Sequence, residues 1–173
     1  MLWQGLFGLY VFGAALAAPA AHAQEIKTLG TFGKWAAYSF QDAGKQVCYA
    51  ASKPIKSEGA YKSRDEIVAQ VTHRPGDRAT DVVSFVAGYT FKTDTDANVA
   101  IGARRFDLFT VEDRAWARDA KTDLEVVQAF IKGNSMVVKG VSSRGTPTTD
   151  TYSLQGFGAA YKAIGEACGV KAG

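Results

Sequence analysis

Apolar and polar positions alternate with a period of two over most of this chain, and in two places the spacing lengthens to three and four. "FGKWAAYSF" and "QVCYAAS" read as strands separated by the turn-rich "QDAGK". "DEIVAQVTH" places Ile67, Ala69 and Val71 on one face, and "DVVSFVAGY" does the same with Val83, Phe85, Ala87 and Tyr89. "RPGDRAT" breaks the pattern between them, so the two are successive antiparallel strands. After the polar turn "KTDTDAN", the short β-rich pieces "VAIG", "RRFDLFT" and "RAWA" follow. Between Thr122 and Gly133 the period becomes helical. Leu124, Val127 and Ile131 fall on one face, Thr122 with Glu125 has the form of a capping box, and Gly133 is a natural stop. "SMVVKGV" and "TDTYSL" return to strand period around the turn "SSRGTP". In a last helix over 156–167, with Cys168 one position beyond, Phe157, Ala160, Tyr161, Ile164 and Cys168 share one face. The pattern predicts a mainly β fold: an antiparallel β-sandwich or barrel-like sheet with one mid-chain helix and a C-terminal helix packed on it.

The first residues change the picture from fold to compartment. An apolar run from Leu6 to Ala18 is followed by Pro19 and by Ala21-His22-Ala23, the small-x-small form of a signal-peptidase site. Residues 1–23 are therefore expected to be a signal peptide, with residues 24–173 forming one domain. No Lys or Arg precedes the apolar run, which leaves an uncleaved membrane anchor as the competing expectation. Once the leader is removed, no further apolar stretch is long enough to span a bilayer. Export implies an oxidising compartment, periplasmic or secreted, where two cysteines favour one disulfide, Cys48 to Cys168. Two buried free thiols are the plainer alternative. A redox pair fits less well, because such cysteines usually sit two residues apart. Net charge is +3 with both signs interspersed, which argues against nucleic-acid binding.

Chemistry is sparse. His73 in "THRPGD" has Asp77 nearby, but a single histidine at a strand end reads as a surface residue. No G-x-S-x-G, H-E-x-x-H or phosphate-binding glycine loop is present, so no cofactor or metal is expected. "KTDTDAN" lacks the frame and terminal Glu of a calcium loop. Trp35 and Trp116 read as core residues. Arg104 and Arg105, with Arg114 and Arg118 nearby in sequence, offer a basic surface for an anionic partner such as lipopolysaccharide. In the loop "SSRGTPTTD", Ser142, Arg144 and Asp150, with Thr148, offer convergent hydrogen bonding beside strand ends, against the plainer reading of a hairpin turn with polar flanks.

"FDLFT", "AWARDAKTD" and above all "MVVKGVSSRGTPTTDTYSLQGFGAAYKAI" resemble the invasion-associated locus B family of exported alphaproteobacterial proteins. The resemblance runs over most of residues 24–173. It implies an exported, mostly β protein with no established enzymatic activity, whose relatives have been linked to entry into host cells. Many members carry an additional close pair of cysteines in mid-chain, and the corresponding region here, around "EDRAWARDAK", has none. The expected function is a non-enzymatic binding or interaction protein of the bacterial envelope, its partner an envelope or host protein or an anionic surface. A small periplasmic hydrolase or isomerase is the alternative, with a site that no known motif marks.

Overall fold

The computed structural model describes residues 25–171, so the expected signal peptide, 1–23, lies outside the described residues. Among the described residues, eleven strands and two α-helices follow one another. The strands are β1 (Lys27–Phe32), β2 (Trp35–Asp42), β3 (Lys45–Ser52), β4 (Lys56–Gly59), β5 (Val68–Arg74), β6 (Ala79–Val86), β7 (Ala97–Ile101), β8 (Arg104–Val111), β9 (Arg114–Trp116), β10 (Ser135–Val141) and β11 (Pro147–Ser153). Helix α1 (Ala120–Lys132) enters between β9 and β10, and α2 (Phe157–Cys168) ends the fold. All strand pairs are antiparallel in one open sheet of order β1-β2-β3-β5-β6-β9-β8-β7-β10-β11-β4. The sheet curls without closing. Its curvature brings the start of β2 to the end of β11, where the Trp35 indole N–H donates to the Ser153 carbonyl at 3.0 Å and the Lys34 amide to Gln155 at 3.1 Å.

Inward side chains follow the expected two-residue period, with Ala69 and Val71 on β5 and Val83 and Phe85 on β6 all buried. Both helices lie against this inner face. Three rings join them to the sheet: Phe157 packs edge-on against Trp35 at 4.8 Å and against Phe130 at 5.0 Å. Helix α2 buries the face that its spacing predicts, Phe157, Ala160, Tyr161, Ile164 and Cys168. It begins at Gly156, whose φ of +91° and 1.9 Å approach of any added Cβ to the Phe32 carbonyl leave room for glycine alone. It ends in a Schellman turn: Gly169 is left-handed and the Val170 amide returns to the Gly165 carbonyl at 2.9 Å. A disulfide joins Cys168 to Cys48 on β3, with their Cα atoms 6.0 Å apart.

Four expectations from the sequence need correction. Helix α1 is capped by Asp119, whose carboxylate accepts from the Thr122 amide at 2.7 Å, so Thr122 is the third residue of the helix and not its cap. Its buried face is Asp123, Val126, Val127 and Phe130, while Ile131 is 45% exposed. The Asp123 carboxylate causes this rotation by accepting from the Val83 amide of β6 at 2.8 Å, which turns that side of the helix inward. His73 is fully buried and not on the surface, because it stands opposite Cys48 in the β3–β5 pairing and under the Tyr161 ring at 5.5 Å. Trp116 is half-buried on short β9, with Arg114 over its ring at 5.9 Å, and does not belong to the core. The sequence reading also missed β4, four exposed residues without alternation, and β1, which precedes the first strand it recognised.

Candidate functional site

Strand β11 carries Thr148, Asp150 and Tyr152 on one face, and all three are buried. An inward carboxylate demands a partner, since an unpaired buried charge is costly. Here the partner is Arg64, from the segment between β4 and β5. Its guanidinium meets Asp150 in a two-pronged contact, Nη1 to Oδ1 at 2.8 Å and Nη2 to Oδ2 at 2.7 Å. Nε also donates to the Ala87 carbonyl at 2.9 Å. The rings of Tyr61 and Tyr89 lie 5.1 and 4.9 Å from the guanidinium carbon, and the two charged side chains are only 3% and 6% exposed.

Above this pair opens a cleft of about 610 Å³, between residues 60–65, 88–90 and 142–148. Tyr89 and Thr148 share a hydroxyl hydrogen bond of 2.7 Å on its wall. Ser142, also buried, accepts the Thr146 amide at 3.1 Å through its hydroxyl and holds the β10–β11 turn in shape. Lys62, Ser63, Ser143 and Arg144 stand exposed around the mouth. Burial pulls the Arg64 pKa down, but the hydrogen bonds and charge of Asp150 outweigh it and lift the group above its ordinary value. Burial likewise pushes the Tyr89 hydroxyl up, so Tyr89 stays a neutral phenol on the cleft wall.

The structure thus brings Ser142, Arg144 and Asp150 together at one cleft, but in different layers: Arg144 is at the mouth, Ser142 in the wall and Asp150 beneath the floor. The basic residues are dispersed. Arg104 and Arg114 sit at opposite ends of β8 and its partner strand, roughly 23 Å apart at the usual rise per residue. Arg104 pairs with Glu125 at 3.1 Å, Arg118 grips both oxygens of Asp96 at 2.7 and 2.6 Å, and Arg105 donates to the Gly102 carbonyl at 2.8 Å. Arg64, Tyr61 and Tyr89 were absent from the sequence reading as site residues. The signal for them was present in "TDTYS", where an aspartate shares the buried face of a strand and so requires a cation from elsewhere.

A second polar cluster lies under α2. Asp81, in a left-handed conformation at φ 61°, donates its amide to His73 Nδ1 at 3.1 Å and accepts the Tyr161 hydroxyl at 2.5 Å. His73 Nε2 has no hydrogen-bond partner among the described residues, and burial holds the imidazole below its ordinary pKa despite Asp81. Among the described residues no three His, Cys, Asp or Glu side chains converge in a way that would hold a metal ion.

The sequence model of the Invasion associated locus B (IalB) protein family matches residues 35–165. The chain belongs to this family. The match runs from β2 nearly to the end of α2 and includes every cleft residue, while β1 and Cys168 fall outside it. Among solved structures, the crystal structure of invasion associated protein b from Bartonella henselae is similar, with a TM-score of 0.54 and 16% identity over 80% of this chain and 94% of that one. At that identity the likeness shows the fold alone. No curated protein matches the chain. Among the described residues no helix is long and apolar enough to cross a membrane.

Proposed function

We propose that this protein is an exported, non-enzymatic binding and interaction module of the bacterial envelope, with a mature N-terminus at Gln24. The observation that carries the reading is the cleft over Arg64 and Asp150. Its floor is a buried, two-pronged ion pair, and its walls are hydroxyls and a tyrosine, Tyr89, held neutral by burial, which suits recognition more than proton transfer. Family membership supports export and links the chain to proteins named for invasion. Contact with a host or envelope surface is the corresponding biological role. The test places a photo-crosslinking residue at Ser143, on the cleft mouth, or at Lys162, on the outer side of α2, in the full chain expressed in its own cell. Adducts from position 143 and none from 162 are expected. Equal adducts from both, or none from either, overturn the reading, and intact mass of the envelope-purified protein checks the start at Gln24.

A further inference from the structure

We infer that the same cleft is a binding site for a phosphate-bearing saccharide, an inference that rests on the reading of the protein as a binding module. The lining decides the ligand class. Apart from Ala60 and the two tyrosine rings it holds no apolar side chain, so an acyl chain or an apolar peptide anchor has nothing to bury against. Instead three polar side chains are sunk below the surface: Arg64 at 3%, Thr148 at 4% and Ser142 at 8% exposure. Of the two hydroxyl protons of Tyr89 and Thr148, one is used between them, and Ser142 accepts the Thr146 amide with its own proton left to donate. Ser63, Thr90 and Ser143 extend this array toward the mouth. Alternating hydroxyl donors and acceptors in a preformed cleft match the edge of a sugar ring.

The charge decides the substituent. Arg104 and Arg118 are each held by a carboxylate, whereas Lys62 and Arg144, at the mouth, have no acidic partner among the described residues. Two uncommitted cations over a hydroxyl-rich cleft fit a phosphate monoester carried on the sugar. Asp65, the acid beside them, opposes such an anion; its backbone amide is tied to the Gly88 carbonyl at 3.0 Å, so its side chain can be changed without freeing the loop. The test titrates ¹⁵N-labelled protein, residues 24–173, with glucose 6-phosphate, inorganic phosphate and glucose. Saturable amide shifts confined to residues 60–65, 88–90 and 142–148 are expected for glucose 6-phosphate, with the other two at least about tenfold weaker because each offers only part of the recognition. Lys62→Ala and Arg144→Ala should each weaken binding about tenfold, and Asp65→Asn should tighten it, with thermal melts unchanged. Displacement by purified lipopolysaccharide assigns the sugar phosphate to a lipid headgroup, and no displacement assigns it to a free sugar phosphate. Non-saturating shifts, shifts elsewhere, equal affinity for glucose, or intact binding in both alanine variants overturn the inference. Adducts at position 143 without sugar-phosphate binding leave the module reading standing and overturn the ligand class alone.

Discussion

Helix α2 and the segment 60–65 both lack strand pairing of their own, and they are fixed by opposite means. Helix α2 is held by apolar contact: Phe157 and Ile164 are fully buried, rings surround Phe157, and Cys168 is tied covalently to β3. The segment 60–65 is held by charge. Arg64 reaches under the cleft to Asp150 and the Ala87 carbonyl, and the Asp65 amide bonds to Gly88. Apolar burial stabilises without specifying direction, which suits a terminal helix that need only stay docked. A buried ion pair stabilises little against an apolar replacement but costs much when half of it is lost, so it fixes one geometry. That difference places the rigid, specified wall at the cleft.

The largest expected effects break each anchor. Phe157→Ala should cost about 3–5 kcal/mol in a urea melt, as truncations of buried aromatics do, and Lys162→Ala on the exposed side should cost under about 0.5 kcal/mol. Equal effects would show that apolar contact does not hold α2. Arg64→Ala should cost a similar 3–5 kcal/mol, roughly, because Asp150 is left buried and unpaired. Replacing the pair together, Arg64→Met with Asp150→Leu, should restore stability to within about 1–2 kcal/mol of the parent while distorting the cleft. A double variant as unstable as the single one would contradict the contrast drawn above.

Reduction of the disulfide comes next. Cys48 and Cys168 are 120 positions apart, and the oxidised form should be more stable by about 2–5 kcal/mol, read as a shift of the denaturation midpoint with and without reductant. Protein purified without reductant should show no alkylatable thiol. The smallest effect is titration at α1. Burial, with Asp81 and Asp119 nearby, raises the Asp123 pKa from 3.8 to about 6 although the Val83 amide opposes the shift. Because the folded pKa is the higher one, its stabilising contribution is complete below about 3.8 and is lost as pH rises through 6. Asp123→Asn keeps an oxygen for the Val83 amide and removes the charge. It should therefore be more stable than the parent by about 1–3 kcal/mol at pH 8, with the gain vanishing near pH 4. His73 works in the other direction, since its lowered pKa favours the fold above 6.5 and removes that support as pH falls through the lowered value. Comparing the variant with the parent at each pH cancels the histidine.

Much of the fold was legible because alternation and helical spacing are local properties. The buried faces of β5, β6 and α2, the turn before β11 and the pairing of the chain's two cysteines all follow from residue order and count. The face of α1 was not legible, because two apolar stripes overlap along "LEVVQAFI" and the side that turns inward is the one whose Asp123 accepts a hydrogen bond from the Val83 amide of β6, forty residues away in sequence. The site divided in the same way. Ser142 and Arg144 stand in a turn that its glycine and proline announce, whereas Arg64 becomes a site residue only through Asp150, 86 positions later.

By itself the sequence determined most of the strands, the two helices, the family and the cysteine pair, since period, turn chemistry and motif are written in neighbouring residues. Only the tertiary structure decided that the sheet curls without closing, that His73 lies beneath a helix, that Arg104 and Arg118 are held in separate ion pairs, and that a cleft opens over Arg64 and Asp150. Those outcomes depend on which distant side chains meet at the inner face, and burial sets the terms: a charge removed from water must find a counter-charge, find a hydrogen-bond donor or take up a proton, as the fold allows.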